Sequence, residues 1–301
     1  MGSGALTAVG MAMATIAALS FADLVGHGNG ARDDSPNRGQ MNHASGHRGA
    51  ANHAAIAELE RAVRARPGVA RRAEGMLGRS SQGRAITASA INGLGGGHAR
   101  GAGPMVLAVG CIHGDECAGI KAVARSRRGS PPSGDGVVTV RNLNPDGLAL
   151  GTRVNARGVD LNRNFPAAWR ASRAPGNPEY PGPRPFSEPE SRISRELIEA
   201  LRPDVTIWFH QQEERLVRAW GPSVPAARLY ARLAGEPFRR MPWLGGTAPN
   251  WQNRRYPGSS SFVVELPLDG PSHPMRHGFA ILRLAQELDE KAPALSPRAR
   301  G

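Results

Sequence analysis

Three residues that can bind a metal ion follow apolar, strand-like runs in the sequence. His113 and Glu116 stand three positions apart just beyond the run Met105–Cys111, where the chain is predicted to turn into a helix. His210 ends a second apolar run. Two imidazoles and one carboxylate leave the fourth position of a zinc ion open to water, as in catalytic rather than structural zinc sites. The three residues therefore predict a metal site that can do chemistry.

A further candidate is Glu265, which lies inside the apolar run Ser260–Pro267. Burying a carboxylate is costly unless another group pairs with it. The pattern allows two interpretations: a structural ion pair with one of the many arginines, or a general base that takes a proton from metal-bound water. A metal ion nearby favours the second interpretation.

Strands and helices alternate along the chain, and this order determines where those residues can meet. Alternation predicts an α/β fold, a three-layer α/β/α sandwich around a mixed, largely parallel twisted sheet. In such sheets functional residues collect beyond the carboxyl ends of the strands. Strands are predicted at 85–91, 104–111, 136–140, 204–209 and 260–266, and helices at 54–66, 116–125, 188–201, 223–233 and 275–288.

The most specific motif is GVDLNRNFP at residues 158–166. It resembles the signature of the zinc metallocarboxypeptidase family, and the segments 77–84, 144–147 and 185–190 resemble that family's connecting segments in the same order. The resemblance extends over roughly residues 54 to 290. It implies a carboxypeptidase A-like fold and a peptidase or amidase activity that needs one zinc ion.

The resemblance also implies roles for individual residues. His113, Glu116 and His210 match the zinc ligands, and Glu265 matches the catalytic glutamate. Asp160 matches the carboxylate that orients the first histidine, and Asn162 and Arg163 match the pair that binds a substrate carboxylate. Arg153 matches the arginine that stabilises the oxyanion, although the spacing from Arg153 to Asp160 is shorter than in pancreatic-type enzymes. A guanidinium suits a carboxylate because two parallel hydrogen bonds can form.

Compact bacterial members with this Asn-Arg-Asn segment resemble the murein peptide amidase branch. That resemblance implies cleavage of the bond between γ-D-glutamate and diaminopimelate in cell-wall peptides, next to a free carboxylate. Two alternatives remain open: an N-acyl amino acid deacylase of the succinylglutamate desuccinylase type, and a non-catalytic module that binds anionic wall polymers. A substrate panel distinguishes the amidase from the deacylase, and a zinc assay distinguishes both enzymes from the binding module.

Two features depart from the pancreatic pattern, and a third segment allows two interpretations. The tyrosine nearest to Glu265 is Tyr256, too close in sequence to be assigned the mobile tyrosine's role. The segment Gln211–Ala219 is polar and charged, and we expect it to shape a different specificity pocket. Trp251 and Gln252 are predicted in a loop, either as pocket walls or as surface residues.

The composition narrows the class of partner. The net charge is +13, and all but two of the 38 basic residues are arginine. Because the arginines are spread evenly and aromatic residues make up only 5%, the chain lacks the stacking platforms of single-strand nucleic-acid binders. We expect a peptide or muropeptide substrate, no nucleic-acid partner and a monomer.

The sequence divides into four predicted segments. Residues 1–25 are apolar and resemble a signal peptide or membrane anchor without its positive start, and residues 26–53 form a polar linker. The catalytic domain is predicted at 54–292 and a tail at 293–301. We expect a secreted or cell-envelope protein, with a cytoplasmic one as the alternative, and a membrane contact only through the first segment. Cys111 and Cys117 are predicted as two small buried apolar residues, with a disulfide as the alternative.

Overall fold

The structure is a computed structural model that describes residues 52–62, 72–92, 104–129, 136–269 and 272–295, with side chains up to residue 288. These residues belong to one compact unit, Met41–Gly301. The predicted segment 1–25, almost all of the linker at 26–53 and residues 296–301 lie outside the described residues. Within the described ranges, no helix combines the length and apolar character needed to span a bilayer.

Eight strands form a single sheet in the order β1-β2-β4-β3-β5-β8-β6-β7. The central pairs β4–β3, β3–β5 and β5–β8 are parallel, and β1–β2, β2–β4 and β6–β8 are antiparallel. The predicted mixed, largely parallel sheet is therefore confirmed. The strands are β1 (Arg72–Arg79), β2 (Ala85–Asn92), β3 (Met105–Val109), β4 (Gly136–Val140), β5 (Val205–Gln212), β6 (Leu216–Ala219), β7 (Phe238–Arg240) and β8 (Ser260–Pro267).

Helices cover both faces of this sheet, which confirms the three-layer arrangement. Strand residues alternate between two apolar clusters: Leu107 and Val109 of β3 pack with the helices of one face, and Val106 and Ala108 with those of the other. α1, α4 and α6 contribute to the first cluster and α2, α5 and α7 to the second. The helices are α1 (52–62), α2 (Gly119–Ser126), α3 (Pro145–Leu150), α4 (Pro189–Leu201), α5 (Val224–Ala234), α6 (Ala248–Arg255) and α7 (Pro274–Leu295).

The carboxyl ends of the three central parallel strands lie side by side. β3 ends at Val109, β5 continues through His210, and β8 pairs with β5 so that Glu265 stands opposite His210. The pairing register of two buried strands is fixed by their apolar faces, because a slip of one residue would turn every side chain to the other face. The sheet therefore sets His210 beside Glu265.

Candidate metal centre

His113 and Glu116 lie on a tight turn between β3 and α2. The Glu116 backbone N–H donates to the His113 carbonyl (3.1 Å), which closes the turn. Gly114 lies on this turn against the backbone of Gly147, and a Cβ at position 114 would overlap that backbone. The turn needs glycine there because the segment at α3 packs directly on it.

The inward-facing atoms of His113, Glu116 and His210 converge on one point. Glu116 Oε2 lies 3.0 Å from His113 Nδ1 and 2.8 Å from His210 Nδ1, and the two ring nitrogens are 3.2 Å apart. All three side chains are buried. Two imidazole nitrogens and a carboxylate oxygen at this spacing are the donor set and geometry that a zinc ion takes, so the residues present fit the predicted metal.

Asp160 holds the first histidine from behind. It is fully buried and accepts hydrogen bonds from His113 Nε2 (3.0 Å), Arg153 Nε (3.0 Å) and the Asn162 backbone N–H (2.8 Å). An ionised carboxylate accepts only, so His113 Nε2 carries the proton that it donates to Asp160, and Nδ1 is the ring nitrogen that can bind a metal ion. Asp160 thereby selects the tautomer that can bind a metal through Nδ1.

The charges of the site depend on one another. Burial disfavours the charged form of each of these groups. At His113 the effect of the Asp160 and Glu116 carboxylates is larger than that of burial, and the pKa of His113 is raised. Burial likewise acts against ionised Glu116 and Asp160, but the surrounding imidazoles, with Arg153 beside Asp160, hold the pKa of both carboxyls well below their usual range. Burial lowers the pKa of His210, which favours its neutral ring. Two anionic carboxylates and a neutral His210 favour a cation at this point, whereas the raised pKa of His113 means that a proton competes with the metal ion for its ring.

Arg153 and Asn162 lie directly against the three converging residues. Arg153 Nη1 donates to Glu116 Oε1 (2.5 Å), while its Nε bonds Asp160. Its Nη2 makes no hydrogen bond within the described part of the chain, and a quarter of the side chain is exposed. The buried Asn162 amide lies between two groups: Oδ1 accepts from the Ala248 N–H (3.0 Å) and Nδ2 is 3.2 Å from His210 Nε2. Both side chains steady the metal-binding residues.

Arg163, next in the chain, lines a neighbouring cavity. Its Nη1 donates to the Asn162 carbonyl (3.0 Å) and its Nη2 to Glu179 Oε1 (2.7 Å). The guanidinium predicted to grip a substrate carboxylate is thus paired with a carboxylate of the chain itself.

Glu265 forms an ion pair with an arginine that could not be identified from the sequence. Arg218 Nε of β6 lies 3.1 Å from Glu265 Oε1, and both side chains are largely buried. The pairing arises because β6 runs antiparallel to β8, with Leu216 opposite Glu265. The ion pair and the position beside His210 occur together, so the two interpretations offered for Glu265 are not exclusive. The apolar residues Leu216, Val217 and Ala219 were the available signal, but Arg218 between them and the charged residues before them obscured a short strand.

The two cysteines form a disulfide, which corrects the preferred prediction of two unlinked small residues. Cys111 and Cys117 are joined, with their Cα atoms 4.7 Å apart, inside the usual range of roughly 4.4–6.8 Å. The turn that carries His113 and Glu116 folds back on itself and brings the two positions together. The bridge closes the loop that presents both metal-binding residues.

Trp251 and Gln252 are in helix α6 rather than in the predicted loop, and both are buried. Gln252 Nε2 donates to Thr206 Oγ1 and Ser259 Oγ (both 2.9 Å), which fastens the helix to the sheet. They are therefore neither pocket walls nor surface residues. Tyr256 ends the same helix, and its ring stacks under the Arg202 guanidinium, 4.1 Å from the ring centroid.

Comparison with known proteins agrees with this geometry. Residues 135–258 match the model of the zinc carboxypeptidase family. Murein peptide amidase A of Escherichia coli (strain K12) is 37% identical over 113 residues, which cover 33% of this chain and 45% of that protein. Gamma-D-glutamyl-L-diamino acid endopeptidase 1 of Lysinibacillus sphaericus is 33% identical over 132 residues, covering 38% of this chain and 32% of that protein. The matches thus span less than half the length of these curated relatives.

The fold is shared more widely than the sequence. The crystal structure of carboxypeptidase A from Helicoverpa armigera superposes with a TM-score of 0.59 at 17% identity, covering 86% of this chain and 82% of that one. At this identity the likeness concerns the fold alone.

Proposed function

We propose that this chain, whose residues 135–258 match the zinc carboxypeptidase family model, is a zinc-dependent hydrolase of the γ-D-glutamyl–diaminopimelate bond in cell-wall peptides. One observation carries the proposal: His113 Nδ1, Glu116 Oε2 and His210 Nδ1 meet at one point, with Glu265 beside His210 on the adjacent strand. A site built only for structure would close a fourth protein ligand over the metal, whereas three ligands leave room for water and substrate.

A zinc ion held by these residues would polarise the scissile carbonyl and acidify a bound water. Glu265 is the group of this chain that takes the proton from the attacking water and passes it to the leaving amine. Paired positions on neighbouring strands turn their side chains to the same face of the sheet, so Glu265 lies on the face that carries His210. The Arg218 guanidinium holds the Glu265 carboxylate in place from the other side.

Arg153 stabilises the negative charge that develops on the carbonyl oxygen. Two of its nitrogens are held by Glu116 and Asp160, so the guanidinium is fixed before substrate arrives and Nη2 remains to donate. Donors fixed in advance cost no reorganisation during reaction, and losing one costs roughly 100- to 1,000-fold in rate. Arg163 binds the free carboxylate on the leaving-amine side, and the substrate carboxylate replaces Glu179 at that guanidinium.

The choice of substrate rests on the relatives and on charge. One relative is named as a murein peptide amidase and another as an endopeptidase that acts between γ-D-glutamate and a diamino acid. The net charge of +13 favours association with anionic wall polymers through long-range attraction. Action in the cell envelope follows from this substrate and is part of the proposal.

The proposal is tested with a panel of three substrates: wall tripeptide, a hippuryl-type peptide and an N-acyl amino acid. Zinc-loaded protein is expected to release diaminopimelate from the tripeptide at the highest kcat/KM. Trimming of ordinary peptide C-termini without release of diaminopimelate would overturn the substrate assignment. Turnover of the N-acyl amino acid alone would make the chain a deacylase, and folded protein that takes up no zinc would make it a binding module.

A further inference from the structure

The disulfide between Cys111 and Cys117 encloses two of the three candidate metal ligands. The two cysteines stand at a sequence separation of six, with their Cα atoms 4.7 Å apart. His113 and Glu116 both lie between them, whereas His210 comes from strand β5. We call residues 111–117 the metal loop. The bridge therefore closes a short ring of chain that carries two metal-binding side chains.

Both ends of the metal loop are anchored to the rest of the fold. The Cys111 carbonyl accepts from the Leu143 N–H (2.8 Å), and the Cys117 carbonyl accepts from the Ile120 N–H (3.1 Å) in the first turn of helix α2. Between these ends, the described structure shows one backbone–backbone hydrogen bond, from the Glu116 N–H to the His113 carbonyl. The disulfide is thus a covalent constraint on a segment that has little hydrogen bonding of its own.

The sulfur atoms of the bridge touch the backbone of the first histidine. Cys111 Sγ lies 3.1 Å from the His113 carbonyl oxygen, and Cys117 Sγ lies 3.4 Å from it. The same carbonyl accepts the hydrogen bond from Glu116 that closes the turn. Opening the bridge therefore loosens the chain at the atom that ties the positions of His113 and Glu116 to each other.

We propose that this disulfide preorganises the metal loop and couples zinc binding to the redox state of the bridge: reduction by a dithiol weakens zinc binding, and bound zinc protects the bridge from reduction. A segment that is already held in its bound conformation loses less conformational freedom when the ligand binds, so its affinity is higher. The reduced loop has to be ordered by the zinc itself. The coupling rests on the zinc site of the proposed function and is independent of its substrate.

The reduction begins at Cys117, because Cys117 is partly exposed and Cys111 is fully buried. A thiolate of the dithiol bonds to Cys117 Sγ, the S–S bond breaks, and Cys111 leaves as a thiolate that takes up a proton. The second thiol of the reductant then attacks the mixed disulfide and releases Cys117. The reductant becomes a disulfide, and the protein gains two electrons and two protons. Because the chain has two cysteines in all, neither thiol has another cysteine of the chain to pair with.

Thermodynamic linkage makes the two effects equal in size. If zinc binds the oxidised protein more tightly than the reduced protein by a given factor, saturating zinc disfavours reduction by the same factor. Loss of a group that orients metal-binding residues lowers metal affinity by about 10- to 100-fold, and we expect about tenfold for opening the bridge. For a two-electron couple, tenfold corresponds to a midpoint potential about 30 mV more negative.

Two measurements on the wild type test the coupling. The zinc dissociation constants of the oxidised and the phosphine-reduced protein are determined by chelator competition without oxygen, and the oxidised protein is expected to bind about tenfold more tightly. The midpoint potential of the bridge is determined in dithiothreitol buffers by thiol alkylation, with and without saturating zinc. A metal buffer fixes the free zinc concentration, because dithiothreitol also binds zinc. Zinc is expected to lower the potential by about 30 mV.

Two variants separate the bridge from general stability. The double variant Cys111→Ser/Cys117→Ser should bind zinc as weakly as the reduced wild type, and a reductant should not change its affinity. Leu201→Ala is the control, because Leu201 is fully buried just before strand β5 begins, at the opposite end of that strand from His210. This variant loses core packing but should keep the zinc affinity of the oxidised wild type.

The outcomes distinguish the coupling from the proposed function. Equal zinc constants for the oxidised and reduced wild type, tighter binding by the reduced protein, or a potential that zinc does not move would overturn the coupling and leave the hydrolase assignment standing. Equal weakening in Leu201→Ala and the double serine variant would also overturn it. A protein that binds zinc in neither redox state would overturn the coupling and the proposed zinc site together.

Discussion

Replacing Asp160 by asparagine tests how the site prepares its first histidine. The carboxylate Oδ1 accepts from His113 Nε2 and from the Asn162 N–H, and Oδ2 accepts from Arg153 Nε. An asparagine can keep the Oδ1 contacts, but its NH₂ then faces the Arg153 Nε–H, and the negative charge behind His113 is lost. Removing a carboxylate that orients a metal-binding histidine typically lowers metal affinity by about 10- to 100-fold, which is about 1.4–2.7 kcal/mol.

Competition with a chromogenic chelator measures the zinc dissociation constant directly. Asp146→Asn is the matched control, because Asp146 is also fully buried and also pairs with an arginine, Arg84. Its hydrogen-bond donors are Ser80 Oγ, the Gln82 N–H and Arg84 Nη1, all outside the site. Asp160→Asn should weaken zinc binding while Asp146→Asn should not. A dissociation constant within about twofold of the wild type for Asp160→Asn, or equal weakening in both variants, would refute this reasoning.

Three further predictions follow from the same contacts. Glu265→Gln should keep the fold and the zinc but lower kcat by roughly 100- to 10,000-fold or more, because the general base is gone; near-normal turnover of the tripeptide would exclude that role. His113→Ala should lose both zinc and activity in metal analysis and rate assays, and full zinc occupancy would remove His113 from the ligand set. Burial acts against the ionised form of Asp146, but hydrogen bonds from Ser80, the Gln82 amide and Arg84 lower its pKa in the folded state. Its stabilising contribution is therefore present above its ordinary pKa and is lost as the pH falls. The difference in unfolding free energy between the wild type and Asp146→Asn should shrink from pH 7 to pH 3, and a constant difference would contradict this.

The central strands and the residues at their ends could be predicted because the signals are local. An apolar run such as Met105–Cys111 predicts a buried strand from the local sequence alone. A polar residue that follows such a run can likewise be recognised in the sequence without knowing which residues it contacts. The placement of His210 and Glu265 side by side follows from parallel pairing, which the alternation of strands and helices already indicates. The fold class and the group of candidate metal ligands were therefore accessible.

The remaining features depend on contacts between distant parts of the chain. The segment at Ala248–Arg255 has a proline, two asparagines and two arginines, a loop-like composition, yet it forms a helix because Trp251 packs against Phe165, with ring centroids 5.6 Å apart. Arg218 meets Glu265 only once β6 folds back against β8. Glu179 meets Arg163 across an irregular segment whose path no periodic pattern fixes. Local sequence patterns carry no information about contacts between distant segments, so the ion-pair partners of the site could be identified only from the structure.

The central claim is that one zinc ion bound by His113, Glu116 and His210 makes this chain a hydrolase of wall tripeptide. The most direct measurement is the rate of diaminopimelate release while zinc is added in steps to chelator-stripped protein. The account predicts no release at zero zinc and a linear rise that breaks at one equivalent per chain. A stripped protein that keeps its full rate, or a rate that zinc does not raise, would contradict it.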